Sequence, residues 1–457
     1  MNKRVFLCLL VVLLLLSVAA CGPTPKPTPT EKPPEAQPTP TPTLPRSTGE
    51  GATKAAKPAE AVEITFMAWG APEELAVWQK IADEFHAANP NITVKMDVSE
   101  WDSYWTKLDT LFAGGAPPDV FAMDAPMYLD WQSRGVLLNL QPYIDATPGF
   151  LDGYYAQPLS GYKLPDGYYG LPRDFQTIVM YYNKDMFDAA KVEYPKEGWT
   201  WDDLRQMAKK LTADKNGDGK TDQYGYSCDL WDMELCWSEA IWAHGGDVIN
   251  ADHTKTLIGE PKARQAWKLF HDMIFVDKSM PDTVAAGEYG YDLFQAGVVA
   301  LWPHGHWSMP RYKDVEFQWD VAPMPAGPAG QATSVNSAGF VIARDSKHPD
   351  AAWEFVKYAL GQTGQTRLTE LGFAIPVFKS VAESPVFLEQ NVGGRTINQK
   401  VFLDSLKYAH LKQIFKGYTE WSSAIGDGMA NIWAGEAELD ATLDQVVTDA
   451  DAVLAGQ

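Results

Sequence analysis

The stretch Val62-Glu63-Ile64-Thr65-Phe66-Met67-Ala68-Trp69-Gly70 decides the fold. It alternates, turns wholly apolar and meets a glycine, which reads as a strand running into a loop. Residues 72–89 follow with Leu75, Trp78, Ile81, Ala82 and Phe85 at the spacing of an amphipathic helix, and Pro90 lies beyond its end. Ile92-Thr93-Val94-Lys95-Met96 is a second strand. Trp101 to Phe112 is a second helix, closed by Gly114, Gly115, Pro117 and Pro118, and Asp119-Val120-Phe121-Ala122-Met123-Asp124 is a third strand. The order β-α-β-α-β predicts a parallel sheet with covering helices, an α/β fold. Ligands on such sheets bind outside the carboxyl ends of the strands, where Trp69-Gly70 and Asp124 fall. Much later, Ser337 to Ala343 reads as a strand, and His348 to Leu360 as a helix beginning at Pro349.

Upstream of this folded part the chain changes character twice. Lys3 and Arg4 precede an apolar run from Val5 to Leu16, then Ser17-Val18-Ala19-Ala20-Cys21. The run is too short to span a bilayer, so residues 1–20 read as a secretion signal. The segment resembles the lipobox of bacterial lipoproteins, which implies cleavage before Cys21, acylation of Cys21, and a chain held at a bacterial cell membrane outside the cytoplasm. The remainder of residues 21–61 is dense in proline and threonine and poor in large apolar residues, so a disordered, polyproline-biased spacer is expected. At about 3.1 Å per residue such a tether reaches on the order of 100 Å.

Lys and Arg number 38 against 59 Asp and Glu, a formal net charge of −21. That balance repels polyanions, no basic stripe breaks it, and nucleic acid is excluded as a partner. Beyond Cys8 in the signal and Cys21, only Cys228 and Cys236 remain. Outside the cytoplasm this pair can close a short loop as a disulfide or stay as two separate thiols. Seventeen tryptophans exceed ordinary core needs, and flat aromatic faces suit the apolar faces of sugar rings.

Several motifs in this order resemble the carbohydrate-binding branch of the extracellular solute-binding proteins of ABC importers, the group that includes maltose- and oligosaccharide-binding proteins. They are Thr65-Phe66-Met67-Ala68-Trp69-Gly70, Gly115-Ala116-Pro117-Pro118-Asp119-Val120, Tyr181-Tyr182-Asn183-Lys184-Asp185-Met186-Phe187, and Trp199-Thr200-Trp201-Asp202-Asp203-Leu204. Phe294-Gln295-Ala296-Gly297 with Gly305-His306-Trp307, and Ala351-Ala352-Trp353-Glu354-Phe355-Val356, complete the set. The resemblance covers nearly all of residues 62–457. It implies a periplasmic-binding-protein-like fold of two α/β lobes, an N-lobe of 62–174 and 338–376 and a C-lobe of 176–335 and 379–457. Crossings are expected near Arg173–Thr177, Val335–Gly339 and Ile375–Phe378. It further implies a monomer that binds a carbohydrate in the interlobe cleft, closes by hinge bending, and delivers it to the transmembrane permease subunits.

Carried onto this chain, the family's cleft positions point to Trp69, Asp124, Asp174, Gln176, Asp229, Trp231, Trp307 and Trp421 as ligand-binding residues, with Trp302 and Trp242 assigned to core packing. Rings for stacking and charged acceptors for hydroxyls are what a sugar site requires. His304-Gly305-His306 reads as a turn rather than a metal pair. In the loop from Asp214 to Asp222, Asp214, Asn216, Asp218 and Asp222 supply oxygens at calcium-loop spacing, with Gly219 at the sixth position and the Lys220 carbonyl at the seventh. The twelfth position is Gly225 where such a loop carries glutamate, so the reading is a structural calcium site of reduced affinity or an Asx-rich turn. A secreted glycosidase needs two carboxylates about a scissile bond. Adjacent acids such as Asp202-Asp203 are too common to support one, and no nucleophile elbow, zinc-protease helix or P-loop motif is present. A glycan-binding surface protein without transport is the other alternative.

Overall fold

The computed structural model describes residues 61–70, 72–290 and 292–456. The signal, Cys21 and nearly all of the Pro/Thr segment lie outside the described residues. The chain opens with β1 (Val62–Trp69), α1 (Pro72–Ala88), β2 (Ile92–Ser99), α2 (Trp101–Ala113) and β3 (Val120–Asp124). β1 pairs in parallel with β2 along its whole length, Val62 opposite Ile92 to Trp69 opposite Ser99, and with β3 at Phe66 and Met67. The alternation in β1 follows from this packing. Ile64 and Phe66 are buried and meet Trp78, Ile81 and Phe85 from α1 in one continuous core.

Farther along come β4 (Gly170–Pro172), β5 (Gln176–Thr177), β6 (Val179–Asn183), α3 (Trp201–Leu211), β7 (Tyr224–Tyr226) and α4 (Ser238–Ala243). They are followed by β8 (Val299–His304), β9 (Trp319–Ala322), β10 (Thr333–Asn336) and β11 (Ala338–Ile342). The last elements needed here are α5 (Pro349–Leu360), β12 (Ala409–Leu411) and α6 (Tyr418–Trp433). The first sheet has the order β2-β1-β3-β11-β4, with β11 antiparallel to both neighbours, so the parallel sheet read from sequence is extended by an antiparallel strand, β11, and closed at its edge by β4. A second sheet has the order β9-β6-β8-β7. Its principal core holds Trp201, Trp237, Trp267, Trp421 and Trp433, and a third cluster holds Tyr181, Phe294, Trp302, Tyr312 and Trp319.

The two sheets are joined by β4 into β5 and by β11 back to β10, two strands that run side by side. Gly339 faces Pro172 in the first sheet, and Val335 faces Thr177 in a small sheet of order β12-β10-β5. A third passage lies beside them, since Phe175 bridges Ile375. Tyr154 and Tyr155, within the stretch assigned to the N-lobe, instead pack on this third passage. Tyr154 bridges Phe378, and the Tyr155 N–H donates to the Val377 carbonyl at 2.9 Å. The C-terminal segment likewise reaches back, with the Gly417 N–H donating to Asp130 at 2.9 Å.

Tryptophan abundance has a plainer cause than sugar binding for much of the set. Trp78, Trp267, Trp302, Trp319, Trp421 and Trp433 are all fully buried core side chains, and Trp242 is nearly so.

Candidate functional site

At the carboxyl end of β1 the chain must turn at once into α1. Gly70 has φ +151°, and a side chain there would meet the Glu74 carboxylate at 2.6 Å, so only glycine fits. Trp69, expected to present a stacking face, is instead enclosed and 9% exposed. Trp101, Tyr104 and Trp105 from α2 surround it at 5.0, 5.1 and 5.5 Å between ring centroids, and the Arg173 guanidinium lies 5.0 Å over its ring. The accessible ring of this cluster is Trp101, 39% exposed. Its signal in the sequence was the Trp101/Trp105 pair one helical turn apart, beginning a helix directly after a strand.

Arg173 and Asp174 are buried together in the first crossing. Arg173 Nε donates to Asp174 Oδ2 at 3.1 Å, and Asp174 Oδ1 accepts from the Ala338 N–H at 3.3 Å. The guanidinium also packs over Trp78 and Phe373, at 5.4 and 5.2 Å. Burial pushes the Asp174 carboxyl up and Arg173 pulls it back. Asp174 is therefore part of the crossing's internal bracing. Gln176 is braced in the same way, with its Oε1 accepting from the His306 N–H at 3.1 Å.

Asp124, at the end of β3, accepts from Asn336 Nδ2 at 3.0 Å. Burial raises its carboxyl, while the charges of Lys412 and Arg173 oppose the rise. Lys412 was not legible in the sequence, where it is one lysine just past a short strand. In the structure its backbone N–H donates to the Val335 carbonyl at 2.9 Å, and its Nζ donates to Glu234 Oε2 at 2.7 Å. Burial works against its charge, but Glu234, Tyr418, Asp124 and Asp232 together hold it protonated. One buried ammonium thus serves carboxylates from both sheets.

The second sheet contributes the segment after β7. Asp229 is 9% exposed, and its Oδ2 has no hydrogen-bond partner. Burial, then the charges of Asp232 and Asp292, push its carboxyl to about 7. Trp231 beside it is 58% exposed. Asp232 caps a single turn of π-helix, Met233–Trp237, by accepting from the N–H groups of Glu234 and Leu235 at 2.7 and 3.0 Å. Such turns recur at functional sites. Trp307 is half-buried, and its ring covers Gly305 so closely that a side chain there would lie 1.8 Å from it. His304 and His306 are buried and neutral, lowered by burial to about 3 and about 4. They belong to the turn, with Gly305 N–H donating to His304 Nδ1 at 3.0 Å and His306 Nε2 beside Gln399 Oε1 at 3.1 Å.

Trp421 does not join this group. It is fully buried, donates from Nε1 to Thr256 Oγ1 at 2.9 Å, and packs on Phe415 at 5.5 Å. Its place on α6 faces the core, while Tyr418 at the start of the same helix lies beside Lys412. The loop from Asp214 to Asp222 is held by its own amides. The Gly217 and Gly219 N–H groups donate to Asp214 at 2.7 and 2.8 Å, the Lys220 N–H to Asp218 at 2.8 Å, and the Lys215 N–H to Asp222 at 2.8 Å. Asn216 Oδ1 accepts from the Asp218 N–H at 2.8 Å. Among the described residues no three His, Cys, Asp or Glu side chains converge as a metal set. Asp203, a candidate acid by sequence, forms a capping box with Thr200 at the start of α3.

A cavity of about 470 Å³ opens between the two halves. Glu74 and Val77 of α1 and Phe373 line it from one side, and His306, Met309 and Lys313 from the other. A larger hollow of about 610 Å³ lies around Val62, the opposite end of β1 from Trp69. Strand polarity favours the first, because crevices that bind ligand form at the carboxyl ends.

Residues 69–366 match the family model described as bacterial extracellular solute-binding protein. A putative binding protein of Brucella abortus is 26% identical over 381 residues, 82% of this chain and 89% of that protein. A maltotriose-binding protein of Pyrococcus abyssi is 25% identical over 324 residues, 69% of this chain and 66% of that protein. Among solved structures, an ABC substrate-binding protein from Listeria monocytogenes in complex with cycloalternan superposes with a TM-score of 0.79 at 26% identity, covering 87% of this chain and 100% of that one.

Proposed function

The chain belongs to the bacterial extracellular solute-binding protein family, and from that premise we propose that it is the substrate-binding component of an ABC importer that captures an oligosaccharide between its two sheets. The family and the structural relative are binding proteins rather than enzymes. The observation that carries the reading is a set of acceptors without donors. Asp229 Oδ2 and Glu234 Oε1, on the segment that carries the exposed Trp231, and Asn336 Oδ1 are buried without a hydrogen-bond partner. An unmet buried polar group costs about 1–3 kcal/mol. A polyhydroxylated ligand brings the missing donors, and its ring faces suit Trp231, Trp101 and Trp307. Sugar is held by carboxylates and rings, and rotation about the paired crossings β4–β5 and β10–β11 closes the halves on it. Cys21 anchors the protein to the membrane by acyl chains, and the Pro/Thr segment lets it reach the permease.

Calorimetry with maltotriose, maltodextrins, cycloalternan and arabino-oligosaccharides tests this. Saturable binding without product formation is expected, and ligand at 100 times Kd should add about 2.7 kcal/mol of stability. Turnover of any of these glycans, or silence across the panel, overturns it.

A further inference from the structure

The segment that supplies the second sheet's share of the site is short and acidic, and Leu230, Met233 and Leu235 root it in the core. Asp229, Asp232 and Glu234 lie within six residues of chain. The charge of Asp232 raises both of the other carboxyls, so the three repel. Trp231 is more than half exposed, and its side chain hydrogen-bonds to Asp229. Asp229 Oδ2 and Glu234 Oε1 have no hydrogen-bond partner, while Glu234 is held through Oε2 by Lys412 Nζ at 2.7 Å. Groups left without a protein contact to fix them would have to be ordered by the ligand, at a cost in affinity.

One covalent bond brackets all four residues. Cys228 follows β7, Cys236 lies in the π-helical turn, and the two are joined as a disulfide across a sequence separation of eight. Both sulfur-bearing residues are buried, Cys236 completely. The bond fixes the strand end to the π-turn, and with it the chain that presents Asp229, Trp231, Asp232 and Glu234. We propose that Cys228 and Cys236 are positioning residues of the binding site, whose disulfide holds the acidic, Trp-bearing loop in its ligand-ready form. They touch no ligand themselves. Their contribution is to order the loop before binding, so that the ligand does not have to.

This rests on the receptor reading above, and the test separates the two. The glycan of the panel that binds the full chain most tightly serves as probe; if none binds, the receptor reading fails. The variants Cys228→Ala, Cys236→Ala and the double variant are compared with the parent by calorimetry and by hydrogen exchange of the peptide spanning residues 228–237. Immobilising a few side chains is worth roughly tenfold in affinity or more. Each single variant should therefore bind about tenfold more weakly, and the double variant should be no worse than either single, because one substitution already removes the bond. Exchange should rise in residues 228–237 and stay unchanged in β1 and β8. A purely structural staple would lower the melting temperature and leave affinity in the folded protein untouched. Unchanged Kd in a folded double variant overturns the proposal, as does loss that is additive between the two cysteines. Should the alanine variants not fold, Cys228→Val with Cys236→Ala, which restores side-chain volume, is measured in the same way. Failure of that protein to fold assigns the bond to stability alone and equally overturns the proposal.

Discussion

The end of β1 and the segment after β7 both carry tryptophan and carboxylate, but they are built on opposite plans. Around Trp69 the rings are packed on one another, although Arg173 Nη1 and Trp105 Nε1 are buried without a hydrogen-bond partner. Three aromatic rings surround the indole, Arg173 lies over it, and Arg173 is itself paired with Asp174 across a crossing strand. Around Trp231 the ring is exposed and two carboxylate oxygens have no donor. The first region is largely a preformed platform, with its rings packed and its ion pair made in the folded protein. The second holds interactions in reserve, and a ligand is what completes them. Mutation should therefore read out as stability in the first and as affinity in the second.

The largest expected effect tests the platform. Arg173→Met removes the cation from its aromatic setting and leaves the buried Asp174 carboxylate without its partner. Breaking a buried pair in this way costs about 3–5 kcal/mol, which denaturant unfolding should register as a lower midpoint with an unchanged slope. A loss under about 1 kcal/mol would mean that Asp174 finds water or another donor, and the platform would not be preformed. Next in size is a pH effect from the opposite region. The Asp229 carboxyl is raised to about 7 in the folded protein, against about 3.9 for an unfolded aspartate. The folded state binds the extra proton between those values. The contribution is fully present below about pH 4 and is lost as pH rises through about 7. Asp229 thus contributes a decline in unfolding free energy from pH 4 to pH 8, opposed by the buried neutral His304 and His306, and Asp229→Asn, compared with the parent, should flatten that decline. Ligand donors should flatten it too, which links the titration to the site.

How far the sequence discloses these plans depends on the range of the interaction. β1, α1, β2, α2 and β3 were legible because periodicity and glycine-proline punctuation are local, and each element is bounded by its own residues. The crossings were legible only through a family resemblance, since no local pattern says that Gly339 will pair with Pro172. Trp69 and Asp174 lie at the strand end and crossing where they were expected. Their availability could not be read, because it depends on Trp101 and Trp105 in the one case and on Arg173 and Ala338 in the other. Trp421 shows the same limit. A helix can present an aromatic to the crevice or to the core, and which face it presents is set by Thr256 and Phe415, more than a hundred residues away and at hand respectively. Lys412 had no signal at all, for its meaning comes entirely from carboxylates distant in sequence.

Two tryptophan substitutions give the smaller effects and the sharpest form of the contrast. Trp231→Ala removes a mostly exposed ring and its hydrogen bond to Asp229, so the stability loss should stay near the ~1 kcal/mol of one hydrogen bond. Affinity should nevertheless fall about tenfold, the loss of more than 1 kcal/mol typical when a central aromatic anchor is truncated. Calorimetry and a thermal melt on the same sample check both. Trp101→Ala should divide its effect. Its ring lies 5.0 Å from Trp69 and 5.4 Å from Trp105, and such pairs are worth about 0.5–1.5 kcal/mol each. A stability loss of about 1 kcal/mol is expected, because partial exposure discounts the pair values, together with a loss of affinity smaller than that of Trp231→Ala. If Trp101→Ala instead weakens binding more than Trp231→Ala while leaving the melt unchanged, the reserve lies at the end of β1. The assignment of platform and responsive loop would then have to be exchanged.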